Sequence, residues 1–138
     1  MTAFEYLSQF GYNDRKIKLI LMELEELRSK AISITSAGNG EKVSYTKSTE
    51  ASFEKVLELI WEREQKIAEE LNRLEQKQTE IKETIETVAN ADERAVLLCR
   101  YCYYKTFYEI AIELGYCEKT IRNIHKRAMN HVLVPDIK

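Results

Sequence analysis

The chain has 138 residues, of which 44% are hydrophobic, and it contains one proline and four glycines. Such a composition gives no sign of a disordered chain, and the scarcity of helix breakers predicts an almost wholly α-helical protein. No apolar run approaches the roughly 18–20 residues of a membrane-spanning helix, and the N-terminus lacks a basic segment followed by an apolar one. We therefore expect a cytoplasmic protein that contacts no membrane.

The formal net charge of −2 is unevenly distributed along the chain. Residues 1–90 hold 13 basic and 17 acidic side chains, whereas residues 91–138 hold 8 basic and 6 acidic ones. An acidic body joined to a basic C-terminal region is typical of a protein that docks one element on DNA and keeps the rest away from it.

The first predicted element is a helix from Asp14 to Thr35. Gly11 is expected to break a short leading segment, and Asn13 with Asp14 provides side chains that can cap a helix start. The polar segment 36–49, which contains two glycines and many hydroxyl side chains, predicts a loop. Within the helix, apolar residues recur at steps of three and four: Ile17, Ile20, Leu24, Leu27, Ala31 and Ile34.

A second and longer helix is predicted from Glu50 to Ala89. At about 1.5 Å per residue this helix spans ~60 Å, whereas the first spans ~33 Å and covers only about half of it. Residues 1–90 are therefore predicted to form an antiparallel helical hairpin. The second helix carries a coiled-coil seam with steps of three and four: Phe53, Leu57, Ile60, Glu64, Ile67, Leu71, Leu74, Gln78, Ile81, Ile85 and Val88.

The part of the seam that the first helix cannot reach, from Leu71 to Val88, needs a partner that buries it. The candidates are the C-terminal region, another protein and a second copy of the chain. We predict a homodimer, because paired DNA-binding proteins gain affinity and half-site spacing. Glu64 and Gln78 stand at core positions, where they either set the register of the coiled coil or face solvent near a helix crossing.

Residues 91–138 form a separate C-terminal region, which begins with a predicted helix from Glu93 to Tyr104. Either Asn90 or Asp92 can cap this helix. Five aromatic side chains at and beyond its end are predicted to pack in a core, although the same residue types can form a base-stacking platform. They are Tyr101, Tyr103, Tyr104, Phe107 and Tyr108.

The three cysteines are expected to be reduced thiols. By residue type, Cys99, Cys102 and Cys117 could form a zinc site together with His125. Cys99 and Cys102, however, lie in an apolar helical stretch, where thiols commonly pack as small hydrophobic groups. We therefore predict neither a metal nor any other cofactor.

The next segment has the pattern of a helix-turn-helix. Thr106 and Glu109 form a capping box at a helix start. Ala111 is small where two helices must approach closely, and Gly115 permits the left-handed backbone of a tight turn. Tyr116 is expected to fill the corner of that turn. The apolar face of this first motif helix consists of Ile110, Ala111 and Leu114.

The second helix of the motif has one apolar and one basic face. Ile121, Ile124 and Ala128 recur at helical spacing and are predicted to pack against the first motif helix. A plain helical hairpin would explain this face, but it would not explain four basic residues and a single acidic one on the other. The outward residues are of the types that contact base edges and phosphates: Lys119, Thr120, Arg122, Asn123, Lys126 and Arg127.

Residues 92–132 resemble region 4 of bacterial sigma factors, which reads the −35 promoter element. The resemblance is carried by Glu-Arg-Ala-Val-Leu-Leu-Cys-Arg-Tyr at 93–101, by Glu-Ile-Ala and Leu-Gly within 109–115, and by residues 120–129. It implies that Lys119, Thr120, Arg122 and Asn123 contact base edges in the major groove. It also assigns phosphate contacts to Lys105, Thr106, Lys126 and Arg127. Glu118 stands where sigma factors are often basic, so the −35 sequence itself is not carried over.

The whole chain, which opens Met-Thr-Ala-Phe-Glu-Tyr-Leu, also resembles small phage and prophage proteins of Gram-positive bacteria. That group is related to the ArpU/RinA-type late transcription regulators. The resemblance implies a sequence-specific regulator that binds double-stranded DNA of phage or prophage genes in the cytoplasm of a bacterial host. RNA polymerase is a further candidate partner.

The sequence argues against an enzyme. Its only histidines, His125 and His131, lie on or just past the second motif helix, and neither a nucleophilic triad nor a phosphate-binding loop is present. Two alternatives to a regulator stay open. One is a DNA-packaging component of small-terminase type, although those proteins generally place the DNA-binding domain first. The other is a sigma-like interaction protein that acts on a partner rather than on DNA.

Overall fold

A computed structural model describes residues 1–40 and 47–135, with the side chains of residues 1–34 and 53–135. The described chain is all-α, as its composition predicts. Its elements are α1 (Ala3–Gly40), α2 (Lys47–Glu86), α3 (Ala91–Leu97), a π-helical turn (Leu98–Cys102), α4 (Phe107–Leu114) and α5 (Glu118–His131). Within this part of the chain, every helix is too short or too polar to cross a membrane.

Helix α1 starts ahead of the predicted Asp14 and runs through Gly11 without interruption. Its start is fixed by a reciprocal cap, in which the Thr2 hydroxyl accepts from the Glu5 amide at 3.1 Å and the Glu5 carboxylate accepts from the Thr2 amide at 3.2 Å. A Cβ at the buried Gly11 would lie 3.2 Å from Cε1 of Tyr104. The predicted break is therefore wrong: Gly11 makes room for an aromatic ring, and this packing offsets the roughly 1 kcal/mol cost of a helical glycine.

Both ends of the loop predicted over residues 36–49 are helical. α1 continues to Gly40 and α2 begins at Lys47, so helical backbone replaces both ends of the predicted loop. Once a helix has been nucleated, each further residue adds a hydrogen bond at little entropic cost, which allows it to enter a segment of weak helix formers. The rest of the predicted loop, residues 41–46, lies outside the described residues.

In one compact unit, Lys16–Leu74, α1 and α2 run antiparallel, which agrees with the direction of the hairpin predicted over residues 1–90. Two ion pairs show the antiparallel direction, because the partner on α2 moves back along the chain as the partner on α1 moves forward. They join Lys16 Nζ to Glu70 Oε1 at 3.8 Å and Arg63 Nη2 to Glu23 Oε1 at 2.8 Å. The prediction that the first helix cannot reach Leu71 and Leu74 is wrong, because both pack with residues of α1. The core of this unit combines apolar residues of α1 with residues of the seam on α2: Ile17, Ile20, Leu24, Leu27, Ile67, Leu71 and Leu74.

The other compact unit combines residues 1–15 with the chain from Glu75 onward. In its main cluster, Ile81, Ile85 and Val88 are buried against side chains of α1, α3, the π-helical turn and α5. The expectation that these residues stay exposed until a second copy covers them is wrong, because α1 begins early and the C-terminal elements pack on the end of α2. Dimerisation itself stays a prediction. The other buried members are Tyr6, Leu7, Phe10, Leu97, Tyr101, Cys102, Ala128 and Val132.

The two polar residues of the seam have partners on α1. The Gln78 side-chain amide donates to the Phe10 carbonyl at 3.0 Å, and the Glu64 carboxylate lies 3.9 Å from Nε of Arg28. Each contact ties a position on α2 to a defined turn of α1. These contacts favour the interpretation that Glu64 and Gln78 set the register of the hairpin.

The helix predicted from Glu93 to Tyr104 divides into α3 and the π-helical turn. Asn90 caps α3, since its side-chain oxygen accepts from the Glu93 amide at 3.1 Å. The turn closes where the Tyr103 amide donates to the Leu98 carbonyl at 3.1 Å. A π-helical turn accommodates one more residue than an α-helical turn, so the side chains that follow it no longer continue the faces of α3.

The aromatic residues after α3 are only partly the core that the sequence predicts. Tyr101 is buried and Phe107 is half-buried, whereas Tyr103, Tyr104 and Tyr108 are exposed. Tyr104 adopts a positive φ of 57° where the chain leaves the π-helical turn, and Tyr108 lies on the outer face of α4. The prediction of core packing is therefore wrong for these three tyrosines.

Candidate nucleic-acid interface

The capping box predicted at the start of α4 is confirmed. Thr106 Oγ1 accepts from the Glu109 amide at 3.2 Å, and a Glu109 carboxylate oxygen accepts from the Thr106 amide at 3.3 Å and from its hydroxyl at 3.0 Å. These reciprocal bonds fix the residue at which α4 begins. The Thr106 hydroxyl, which is predicted to contact a phosphate, is thus engaged in the cap.

The turn between α4 and α5 has the predicted left-handed glycine. Gly115 adopts a φ of 76°, and the amides of Gly115 and Tyr116 both donate to the Ala111 carbonyl, at 3.0 and 3.1 Å. A Cβ at Gly115 would meet open space. The requirement for glycine therefore comes from the backbone conformation alone.

Tyr116 does not fill the corner of the turn. The residue is 39% exposed, and its hydroxyl donates to the Asp92 carboxylate at 2.9 Å. The expectation for Tyr116 is wrong because this hydroxyl finds an acceptor at the start of α3. The bond joins the turn to α3 and does not contribute to the core.

The apolar face of α5 is buried, but only Ile121 and Ile124 share a cluster with α4 as predicted. Ile121 and Ile124 pack in a motif cluster, and Ala128 lies in the main cluster. The motif cluster holds α5 against α3 and α4 and so fixes which side of α5 faces outward. Its other buried members are Val96, Ile110 and Ala111.

The opposite side of α5 presents a polar stripe. Lys119, Asn123, Lys126 and Asn130 are all exposed, and their steps of four, three and four place them on one side of the helix. Beside this stripe, Thr120 is half-buried and Arg127 is exposed. Asn130 is not among the DNA-binding residues predicted from the sequence, although its spacing of seven residues from Asn123 places it on the same side of the helix. An open groove along α5 is lined by Thr120, Asn123, Ile124, Lys126, Arg127 and Asn130.

Two of the predicted DNA-binding cations are already engaged by carboxylates. Arg122 Nη2 donates to Glu118 Oε1 at 2.8 Å, and Lys105 Nζ pairs with Glu113. The hydrogen bond with Glu113 raises the pKa of Lys105. Within the described part of the chain, the other three cations of α5 make no ion pair. Of the four basic side chains of α5, Arg122 is thus paired with a carboxylate, whereas the other three are available to bind an anion.

The inner flank of α5 is anchored by His125. Its Nε2 lies 2.8 Å from the Tyr101 hydroxyl, its ring stacks on that of Tyr101 at 5.7 Å, and the Phe107 ring meets it edge-on at 5.2 Å. Burial, followed by the nearby Arg100, lowers the pKa of His125. The neutral imidazole is therefore part of the packing beneath the polar stripe.

The cysteines and His125 occupy different environments. Cys102 is buried in the main cluster, Cys99 packs against the motif cluster, and the exposed Cys117 lies 3.0 Å from the Thr120 hydroxyl. The hydrogen bond from Thr120 lowers the pKa of the Cys117 thiol, whereas burial raises the pKa of Cys102 to about 11. Packing as small hydrophobic groups is confirmed for Cys102 and, in part, for Cys99.

Residues 90–132 match the family model described as Sigma-70, region 4. Comparisons of the chain with curated proteins and with solved structures gave no significant match. The matched residues span α3, the π-helical turn, α4 and α5, which are the elements that share the motif cluster. The C-terminal part of the chain is therefore a helix-turn-helix of the sigma-70 region 4 type.

Proposed function

We propose that the chain is a sequence-specific regulator that binds double-stranded DNA of phage or prophage genes. The observation that carries this proposal is the exposed stripe of α5, which presents Lys119, Asn123 and Lys126 on a helix-turn-helix of the sigma-70 region 4 type. In this architecture the second motif helix lies in the major groove. The phage context rests on the resemblance of the chain to small phage proteins.

The distribution of charge supports docking through α5. This helix carries four basic residues and one acidic residue, whereas residues 1–90 carry four more acidic than basic side chains. Phosphates attract the basic side chains of α5 and repel the acidic side chains of residues 1–90. Contacts with a duplex are thus expected to come from α5 and not from the acidic residues 1–90.

Five side chains of α5 have a role in DNA binding that their chemistry supports. The Asn123 amide can pair with adenine N6 and N7, and Lys119 and Thr120 can donate to acceptors on base edges. Lys126 and Arg127 suit phosphates, because they lie further along the helix and make no ion pair within the described residues.

Selection of duplexes from a random pool by the full chain tests this proposal. We expect enrichment of a defined motif by the wild type and its loss in the triple variant Lys119→Ala, Lys126→Ala, Arg127→Ala. A matched control, Lys55→Ala, Lys66→Ala, Arg73→Ala, removes the same charge from exposed positions of α2 and should retain the motif. A wild-type chain that enriches no motif would contradict the proposal.

The selected motif also reports how many copies bind. An inverted repeat with a spacing of about one helical turn would support a homodimer, whereas a single half-site would support a monomer.

A second candidate function is a sigma-like interaction protein that binds RNA polymerase. It is favoured by the exposed Tyr108 and Ile112, which lie one turn apart on the outer face of α4. Binding to RNA polymerase without selection of any duplex would support this alternative.

A further inference from the structure

Within the described structure, the guanidinium of Arg122 on α5 contacts both a carboxylate and an aromatic ring. Its Nη2 donates to Glu118 Oε1 at 2.8 Å, and its Cζ lies 4.9 Å from the centre of the Phe107 ring. We propose that Glu118 and Phe107 are positioning residues that hold Arg122 for readout of a guanine. This inference rests on the DNA-binding function proposed for α5 and adds a base preference to it.

Stability does not explain the pair of Glu118 with Arg122. Both side chains are exposed, and an ion pair between exposed residues one helical turn apart contributes little to folding. A carboxylate on a helix that approaches phosphates also weakens binding to every duplex, because like charges repel. The Glu118 carboxylate also stabilises the first turn of α5 through the helix dipole, but this effect does not require contact with Arg122. We therefore assign the ion pair itself to selectivity.

Phe107 is a rigid platform for the guanidinium. It is the first residue of α4, directly after the capping box at Thr106, and it packs against the motif cluster. The ring is further restrained by Arg100, whose Cζ lies 4.4 Å from its centre, and by the ring of His125, whose plane is inclined to it by 70°. A guanidinium beside an aromatic ring keeps its donors available at its edges, because that contact uses none of its N–H groups.

The held guanidinium retains the donors that guanine requires. Arginine has five N–H donors, and the bond to Glu118 uses one of them. Two parallel N–H groups can therefore still donate to guanine O6 and N7. Because Arg122 is already ordered, it loses less side-chain freedom on binding than a free arginine does, and its geometry favours one base over the others.

The test measures base preference rather than affinity alone. The full chain and its variants are titrated with the selected duplex and with duplexes that replace each guanine of the motif in turn. We expect Arg122→Ala to reduce the preference for one guanine by about 5- to 150-fold. Glu118→Ala should reduce the same preference by about two- to twelvefold and tighten binding to unrelated duplexes, because it removes a repelling charge.

Three further variants separate positioning from charge. Glu118→Gln keeps an acceptor for Arg122 and should restore part of the guanine preference, whereas Glu83→Ala removes one acidic charge from an exposed position on α2 and should leave it unchanged. Phe107→Leu should lower the preference in the same way as Glu118→Ala. Its thermal unfolding is measured in parallel, and if this variant unfolds, the Glu118 variants at an exposed position decide the result.

The outcomes distinguish failure of this inference from failure of the proposed function. If Arg122→Ala lowers the guanine preference but Glu118→Ala leaves it intact, DNA readout stands and positioning is refuted. If the motif contains no guanine whose preference depends on Arg122, the inference is overturned while α5 remains the DNA-binding helix. If the wild-type chain selects no duplex, the proposed function fails and the inference fails with it.

Discussion

The buried carboxylate of Glu93 lies 2.7 Å from Nδ1 of His131 and so joins the first turn of α3 to the last residue of α5. The two side chains differ in environment, because the Glu93 side chain is 4% exposed and that of His131 is 59% exposed. The histidine thus provides the partner that a buried carboxylate needs. This bond fixes the C-terminal end of α5 relative to α3.

We predict that His131→Ala lowers the free energy of unfolding by about 1–3 kcal/mol, because it leaves a buried acceptor without its partner. Urea denaturation followed by circular dichroism measures this loss. In a Glu93→Gln background the same change should cost less, since an unpaired neutral amide is less costly to bury than a carboxylate. Equal costs in the two backgrounds would show that the two residues are not coupled.

Stability should depend on pH through His125. Burial, followed by Arg100, lowers its pKa below the ordinary value of 6.5, so the folded state binds this proton less tightly than the unfolded state does. Protonation therefore favours unfolding, and the free energy of unfolding should decrease as the pH falls below about 6.5 and change little above it. Urea titrations from about pH 8 to pH 5 measure this profile.

His125→Gln is the matched control for this pH dependence. Glutamine keeps an acceptor for the Tyr101 hydroxyl and removes the titrating group. The difference in stability between wild type and variant should therefore change across the acidic part of the profile. If the two profiles run parallel from neutral to acidic pH, His125 does not cause the dependence.

Gly115 should tolerate substitution according to backbone conformation and not side-chain size. Gly115→Ala should cost about 1–2 kcal/mol, because its φ of 76° is left-handed, and the β-branched Gly115→Val should cost more. Gly115→Asn should cost least, since asparagine enters this region most readily. Urea denaturation ranks the three variants, and DNA binding should be lost with valine. A ranking by side-chain volume alone, with asparagine among the worst, would contradict the backbone explanation.

Ile81 should be essential to the folding of the C-terminal elements, although it lies on α2. It shares the main cluster with Leu97 and Ala128, and Ile81→Ala should lower the free energy of unfolding by about 2–5 kcal/mol. The exposed Ile112 provides a matched control, for which the same change should alter stability by less than about 0.5 kcal/mol. Both values come from urea denaturation. A small effect of Ile81→Ala would mean that α3 to α5 fold without the end of α2.

The features that the sequence predicted correctly at the candidate site are local ones. The capping box joins Thr106 to a residue three positions later, and Gly115 is recognisable because few other residues adopt a left-handed turn. The buried side of α5 follows from the helical spacing of Ile121, Ile124 and Ala128. Each of these signals lies within about one or two helical turns, so the pattern contains the information that specifies the structure.

The features that the sequence did not predict depend on residues far apart in the chain. Gly11 has the pattern of a helix breaker, and only the ring of Tyr104 explains why it lies inside a helix. The seam at Ile81 and Ile85 looks unpartnered until α1 is known to begin at Ala3. Likewise, local spacing gives no indication that Glu118 and Phe107 both hold Arg122, because Phe107 belongs to another helix.

The central claim is that α5 reads DNA sequence, and the most direct test compares two single variants on two duplexes. Affinities for the selected duplex and for a scrambled one are measured over a series of salt concentrations. We predict that Asn123→Ala costs about 1–3 kcal/mol on the selected duplex and little on the scrambled one. Lys126→Ala should weaken binding to both and reduce the salt dependence by about one unit of slope. Equal wild-type affinity for the two duplexes, or an equal loss on both in Asn123→Ala, would contradict the account.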